Sequence, residues 1–411
     1  VALFEPFPNY VWNLSVSIAL ENGGKIGEIV DIIAELKNKA EAGEDAGTAD
    51  FMRAWVGMAD KLVGLGEEDL LAGRHYSAGN KFMRSAIYYQ TGERMQPHGS
   101  PGRMETYRNG IDNFMRGVQL AGEPVEKITI PYEGAEITGL FHKANVTGPA
   151  PCVVYCNGLD SMKEMLWMGG FPKALAKRGI HTLCIDQPGT GEALRLHDLP
   201  ATPHAEKWAS KWVDYLETRD DVDPAHIGMT GISLGGHFAP RAVAYEPRFA
   251  SGAAWGANHN WYEVQFKRMQ REGENPVPHY WGHVFWVFGA KDMDEFLEKS
   301  KDMNLNGHLD RITVPFLVTH GVNDRQISPD YANQSYDQLV NSPRRELKWF
   351  TPREGGVERA YGVRIANGHE NFQDIAPPQR LEDRARRAAA ADDRCSIGAP
   401  RPGVEHRVDA I

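Results

Sequence analysis

The pentapeptide Gly231-Ile-Ser-Leu-Gly235, followed by Gly236, stands between a buried run, Ile227-Gly-Met-Thr, and an amphipathic stretch that starts near Gly235. A strand that becomes a helix within so few residues brings two backbones too close for large side chains, and the flanking glycines permit the turn. A serine hydroxyl is a poor nucleophile at neutral pH. Exposing it on a tight turn, supplying a base and aiming backbone N–H groups at the developing oxyanion is how protein chemistry activates it. The setting predicts a nucleophile elbow with Ser233 at its tip, and a purely structural turn is the alternative.

The surrounding pattern fits such an elbow. Short apolar runs recur at Cys152-Val-Val-Tyr-Cys, His181-Thr-Leu-Cys-Ile-Asp, Ala250-Ser-Gly-Ala-Ala-Trp and Val314-Pro-Phe-Leu-Val-Thr-His, with helical stretches such as residues 171–178 and 208–217 between them. Strands alternating with helices predict an α/β fold: a mostly parallel sheet covered on both faces. Before it, alternation around Glu133-Gly134 predicts a β-hairpin that opens a new domain at residue 126. Residues 1–125 carry apolar residues at three- and four-residue spacing, as in Phe51, Met52, Trp55, Val56, Met58 and Leu62, and read as a helical domain. The sheet domain is expected over 126–376, interrupted at about 258–309 by an aromatic-rich helical insertion. Such an insertion forms either a lid or an ordinary packed excursion. Residues 377–411 are Arg-, Ala-, Asp- and Pro-rich and read as a polar, disordered tail.

Composition narrows the function classes. A formal charge of −10 over 411 residues argues against nucleic-acid binding, which needs clustered cations to neutralise phosphates. Cys152, Cys156, Cys184 and Cys395 form no Cys-x-x-Cys pair, and three lie in core-like runs, as expected of reduced, packed thiols. No run of 18 apolar residues and no basic-then-apolar leader is present, so no membrane association and a cytoplasmic location are expected. Gly189-Thr-Gly191 lacks the full dinucleotide fingerprint and reads as a turn beside the site; Walker A and His-Glu-x-x-His are missing. No cofactor and no metal are therefore expected.

A serine in this architecture needs an acid and then a histidine further along the chain. Asp324 follows the run Val314–Thr319 and would sit in the loop at a strand's C-terminal end. His369, in Ile365-Ala-Asn-Gly-His-Glu-Asn-Phe, is the favoured base; His406 lies in the tail, and His320 reads as a local packing residue. The oxyanion would take the N–H of Leu234 and a second one from the loop Asn157-Gly-Leu-Asp-Ser-Met-Lys-Glu, from Leu159 or else from Gly158. Asp160, Lys163 and Glu164 either hold this loop or touch substrate. Trp255, Tyr280 and Trp281 join Asp160 and Lys163 as candidates for the pocket wall.

Several stretches are more specific than the serine pentapeptide: Ser77-Ala-Gly with Tyr88-Tyr89 and Gly92-Glu-Arg, Ile130-Pro-Tyr-Glu-Gly, the loop from Asn157, Asp186-Gln-Pro-Gly-Thr-Gly-Glu, Glu246-Pro-Arg and His320-Gly-Val-Asn-Asp. Together they resemble, over roughly residues 50 to 355, the α/β-hydrolase branch of 2,6-dihydroxypseudooxynicotine hydrolase, the FrsA-like esterases and fungal polyketide-shortening hydrolases of pigment pathways. The resemblance implies an α/β-hydrolase fold with an N-terminal helical cap over the active site, a Ser-His-Asp triad and no metal or organic cofactor. Some members hydrolyse a C–C bond beside a ketone on an aromatic substrate and others cleave esters. Ser233 and Asp324 carry over by position as nucleophile and acid. The histidine does not: fungal-like members continue the segment resembling Arg353–Glu358 with His, where this chain has Arg359. Either a short insertion moves the base to His369 or the chain has lost it, because a guanidinium stays protonated and cannot serve.

The expected function is serine-dependent cleavage of a C–C bond next to a ketone in a small aromatic or polyketide-like molecule. A carboxylesterase and an inactive binding protein of the same fold are the rivals. Pairing of two copies through the helical domain is compatible with the sequence, which does not determine it.

Overall fold

Five helices precede the first strand: α1 (Tyr10–Glu21), α2 (Ile26–Glu41), α3 (Thr48–Leu71), α4 (His75–Arg94) and α5 (Arg103–Leu120). These and the elements below come from a computed structural model, which describes residue 7 and residues 10–42, 47–271, 279–324 and 326–353. The helical spacing puts Phe51, Trp55, Met58, Ala59 and Leu62 on the buried face of α3. An aromatic chain runs from Trp12 through Phe51 and Trp55 to Tyr88, with successive ring centroids 4.7, 5.8 and 5.6 Å apart. Tyr88 and Tyr89 are both buried in the core of these helices. Between α4 and α5 the backbones touch at Gly79 and Gly117: a methyl group on either would lie 2.8 or 2.9 Å from the other's carbonyl oxygen.

The sheet begins with β1 (Val125–Tyr132) and β2 (Ala135–His142), an antiparallel hairpin closed by Glu133 and Gly134, both at positive φ. It continues with β3 (Ala150–Cys156), α6 (Lys163–Met168), α7 (Phe171–Ala176), β4 (His181–Asp186), α8 (Gly191–Arg195), α9 (Ala205–Glu217), β5 (Val222–Ile232), α10 (Gly235–Tyr245) and β6 (Ser251–Trp255). The insertion expected at about 258–309 supplies α11 (Trp261–Arg271), α12 (Tyr280–Phe288) and α13 (Met293–Ser300); β7 (Phe316–Gly321), α14 (Asp330–Gln338) and β8 (Arg345–Phe350) complete the described chain. The eight described strands are ordered β1-β2-β4-β3-β5-β6-β7-β8, parallel from β4 to β8. Every residue of β4, β6 and β7 is buried, which is why these strands read as continuous apolar runs. The fold is the α/β-hydrolase fold. Cys152, Cys156 and Cys184 are buried free thiols; Cys395 lies outside the described residues.

Register sets where chemistry can occur. Cys156 pairs with Gly231, Ile232 with Trp255, and Trp255 with Thr319. The C-terminal ends of β3, β5, β6 and β7 thus finish almost level, and the loops that leave them share one edge of the sheet. Helices and sheet belong to one compact unit, Val1–Asp374; the remainder, Ile375–Ile411, lies outside the described residues, with the tail expected there.

Two buried ion clusters tie these layers together. In the first, Lys163 Nζ reaches Asp186, Glu192 and Glu164 at 2.9, 2.5 and 2.7 Å. In the second, Glu93 at the end of α4 accepts from Arg103 Nε at 2.7 Å and from Arg195 Nε and Nη2 at 2.9 Å, joining α4, α5 and α8. Burial opposes ionisation of Glu93, but the Arg195 and Arg103 guanidiniums outweigh it and hold the carboxyl at about 2. Glu192 is likewise held at about 2, burial being overcome by Lys163 and Lys127.

Two outcomes are expected. A β-carbon on Gly231 would lie 2.2 Å from the Gly235 carbonyl oxygen and 2.4 Å from Cys156 Sγ. Gly231→Ala should therefore lower stability by about 1–3 kcal/mol or more, read from the midpoint of urea unfolding. The second outcome concerns acid. A carboxylate whose folded value is lowered contributes stability above its unfolded value near 4.5, and loses it as pH falls through the folded value of about 2. The wild-type midpoint should fall steadily over that window, whereas Glu93→Gln should start lower and depend less on pH.

Candidate active site

At the junction of β5 and α10, Ser233 adopts φ +59°, a left-handed conformation that a non-glycine residue rarely holds. Its N–H donates to the Trp255 carbonyl oxygen at 2.9 Å, which pins the turn to the neighbouring strand. The first turn of α10 then closes through Gly236 N–H to the Ser233 carbonyl at 2.8 Å and His237 N–H to the Leu234 carbonyl at 3.0 Å. The Leu234 N–H, at the positive end of that helix, has no hydrogen-bond partner among the described residues. This is the geometry of a nucleophile elbow.

Across from it runs the loop after β3. Its shape is fixed by the side chains of the motif from Asn157. Asp186 Oδ1 accepts from Asn157 Nδ2 at 3.1 Å and from Lys163 N–H at 2.8 Å; its Oδ2 accepts from Glu192 N–H and Lys163 Nζ, each at 2.9 Å. Gln187 exchanges two hydrogen bonds with the Asn157 backbone, at 3.0 and 2.9 Å. The Gly158 N–H donates to Ser161 Oγ at 3.0 Å, so the fallback oxyanion donor is already engaged. Leu159 has no such partner for its N–H among the described residues and faces the same cavity as Ser233.

That cavity holds about 430 Å³ and is built by several parts of the chain. Ser233, Leu234 and Leu159 come from the sheet edge; Arg94, Met95 and Gln96 come from the end of α4; Trp261, Gln265, Tyr280 and His283 come from the insertion. Gln326 and Ile327, in the loop after β7, add a further wall. Asp324 sits in that loop, and its Oδ1 accepts from the Gln326 and Ile327 N–H groups at 2.8 and 2.9 Å. His320, whose Nε2 lies 3.0 Å from the Ile327 carbonyl oxygen, packs locally. His369 lies outside the described residues, and among those described no histidine hydrogen-bonds Ser233.

Three pocket-wall expectations need correction. Lys163 is fully buried in its carboxylate cluster and holds the loop instead of lining the cavity. Trp255 ends β6, where its ring stacks against Tyr155 with centroids 6.1 Å apart, and its carbonyl oxygen accepts from the Ser233 N–H. Trp281 follows Tyr280 by one helical step of about 100° and turns to the other face of α12, against Phe285 and Phe296. Tyr280 and His283, three residues apart, share the cavity face. Asp160 does line the cavity and is held by Arg94 Nη1 at 2.6 Å.

Arg94, Asn258 and His283 were not singled out as site residues. Arg94 stood within the Gly92-Glu-Arg stretch, but neither Asn258 nor His283 carries any motif signal. Among the described residues no helix is long and apolar enough to cross a membrane.

The Esterase FrsA-like family matches residues 71–265, and the Prolyl oligopeptidase family matches residues 209–353; both spans contain Ser233. Among curated proteins, the hydrolase acrC of Aspergillus aculeatus is 25% identical, with 81% of this chain and 87% of that protein covered. The hydrolase LUC6 of a Fusarium species is also 25% identical, with 85% and 91% covered. The crystal structure of 2,6-dihydroxy-pseudo-oxynicotine hydrolase superposes with a TM-score of 0.70 at 20% identity, covering 88% of this chain and 95% of that one. The chain has the α/β-hydrolase fold and is an enzyme similar to the FrsA-like esterases and to these fungal hydrolases.

Proposed function

We propose that this enzyme is a serine hydrolase that cleaves a C–C bond beside a ketone in a small, flat, aromatic or polyketide-like substrate. The observation that carries the reading is Ser233 at φ +59°, lining a cavity also lined by Leu234 and Leu159, whose N–H groups have no partner among the described residues. In this mechanism His369 takes the Ser233 proton as the hydroxyl adds to the carbonyl carbon, and Asp324 orients the imidazole. The Leu234 and Leu159 N–H groups receive the oxyanion. Collapse breaks the C–C bond, its electron pair leaving as an enolate that the imidazolium protonates. Water, deprotonated by the same imidazole, then cleaves the acyl-serine and releases a carboxylic acid. Support for a small aromatic substrate comes from the apolar, aromatic cavity wall and from the substrate after which the structural relative is named.

The match to an esterase family favours a second reading, hydrolysis of aryl esters through the same acyl-serine. Turnover of 1-phenylbutane-1,3-dione set against phenyl acetate separates the two, since reaction of the ester alone would end the C–C reading.

Fluorophosphonate labelling, followed by intact mass, should modify the wild type rapidly and Ser233→Ala not at all. His369→Ala and Asp324→Asn should each slow it by about 10²-fold or more. An unlabelled wild type would remove the hydrolase mechanism, and equal labelling of His369→Ala would move the base elsewhere.

A further inference from the structure

The charges in the wall of the Ser233 cavity do not balance. Among the described residues of that wall, the arginines and acids are Arg94, Asp160 and Arg268. Arg94 and Asp160 satisfy each other through Nη1 and Oδ2 at 2.6 Å, and Arg94 Nη2 also donates to Ser15 Oγ at 3.1 Å. Arg268, on α11, is half-buried, and among the described residues its side chain has neither an ion-pair nor a hydrogen-bond partner. Its guanidinium carbon lies 4.2 Å from the centroid of the Tyr280 ring, which lines the same cavity. The Tyr280 hydroxyl in turn donates to Gln265 Oε1 at 2.6 Å, and Gln265, three residues before Arg268 on α11, is buried. The hydrogen bond and the ring contact tie α11 to α12 and hold the platform on which the guanidinium rests.

The chemistry of the missing partner follows from this arrangement. Stacking occupies one face of a guanidinium and leaves its in-plane N–H donors available. The group stays protonated, so half-burial removes part of its hydration with no counterion in exchange. Its planar pair of donors matches the two oxygens of a carboxylate. Because Arg94 already neutralises Asp160, one positive charge is left over, and a monoanion cancels it. A phosphate dianion would instead leave excess negative charge in the same wall as Asp160. The apolar part of the wall, including Val11, Trp12, Leu14, Ile18 and Trp261, suits the uncharged, flat body of a ring system.

We infer that Arg268, stacked on Tyr280, is a specificity-determining residue of the Ser233 cavity that recognises a carboxylate on the aromatic or polyketide-like substrate. This deepens the proposed function and rests on reading that cavity as the substrate site.

The probes 2-naphthoate and 2-nitronaphthalene share a planar shape, differ by one charge and carry no bond that a serine hydrolase cleaves. Their affinities for the full chain, measured by equilibrium dialysis at pH 8, where an ordinary imidazole is neutral, test the assignment. The naphthoate should bind the wild type at least about 10-fold more tightly. In Arg268→Met, which keeps an apolar stem and removes the charge, the two should fall within about 2-fold of each other, with the affinity for 2-nitronaphthalene unchanged within about 2-fold. Arg268→Lys, a point charge without the planar fork, should keep part of the preference. If Arg268→Met does not fold, Arg268→Gln carries the same expected loss. A wild type without preference, or a preference undiminished in Arg268→Met, overturns the inference. Fluorophosphonate labelling of the wild type keeps the two claims apart. A labelled Ser233 that saturating naphthoate fails to protect overturns the carboxylate site alone, and an unlabelled Ser233 with an Arg268-dependent preference sinks the hydrolase mechanism alone.

Discussion

One buried carboxylate, that of Asp186, organises everything around the elbow. It ends β4 and spends its two oxygens on four donors: the Asn157 amide, the Lys163 backbone and ammonium, and the Glu192 backbone. Those bonds fix the loop after β3, the start of α6 and the start of α8 against one another. A charge this deep is tolerated only because its lone pairs are filled and a cation lies 2.9 Å away. This network places Leu159 in the wall of the same cavity as Ser233, with its side chain packed against the main core.

The strain at Ser233 has a matching support. Its left-handed backbone is held by the hydrogen bond to Trp255 and by the absence of a side chain at Gly231, where strand, helix and Cys156 converge. A conformation unfavourable in isolation persists when its surroundings over-determine it. The parallel sheet provides that rigidity, because the C-terminal halves of β3, β5, β6 and β7 are buried and end almost level.

Much of this was legible in the sequence for a plain physical reason. Parallel strands buried on both faces must be apolar throughout, and a tight strand-to-helix turn must be glycine-rich. The α/β architecture, the hairpin at Glu133-Gly134, the insertion and the position of Ser233 were therefore all written locally. What stayed hidden depends on contacts distant in sequence. Lys163 looked like a pocket residue because lysine is normally exposed, and only three carboxylates from α6, β4 and α8 make its burial possible. Trp255 and Trp281 were chosen by residue type, while strand packing and helical phase decided which way they point.

The ion pair between Arg94 and Asp160 has a wider consequence. It joins the last turn of α4 to the residue next to Leu159, so the helical layer is bolted to the loop that carries the proposed oxyanion donor. The helices are thus part of the working scaffold and cannot be exchanged like an interchangeable cover. A lineage that remodels them to admit a new substrate also retunes the alignment of the reacting groups, so selectivity and turnover would be expected to evolve together.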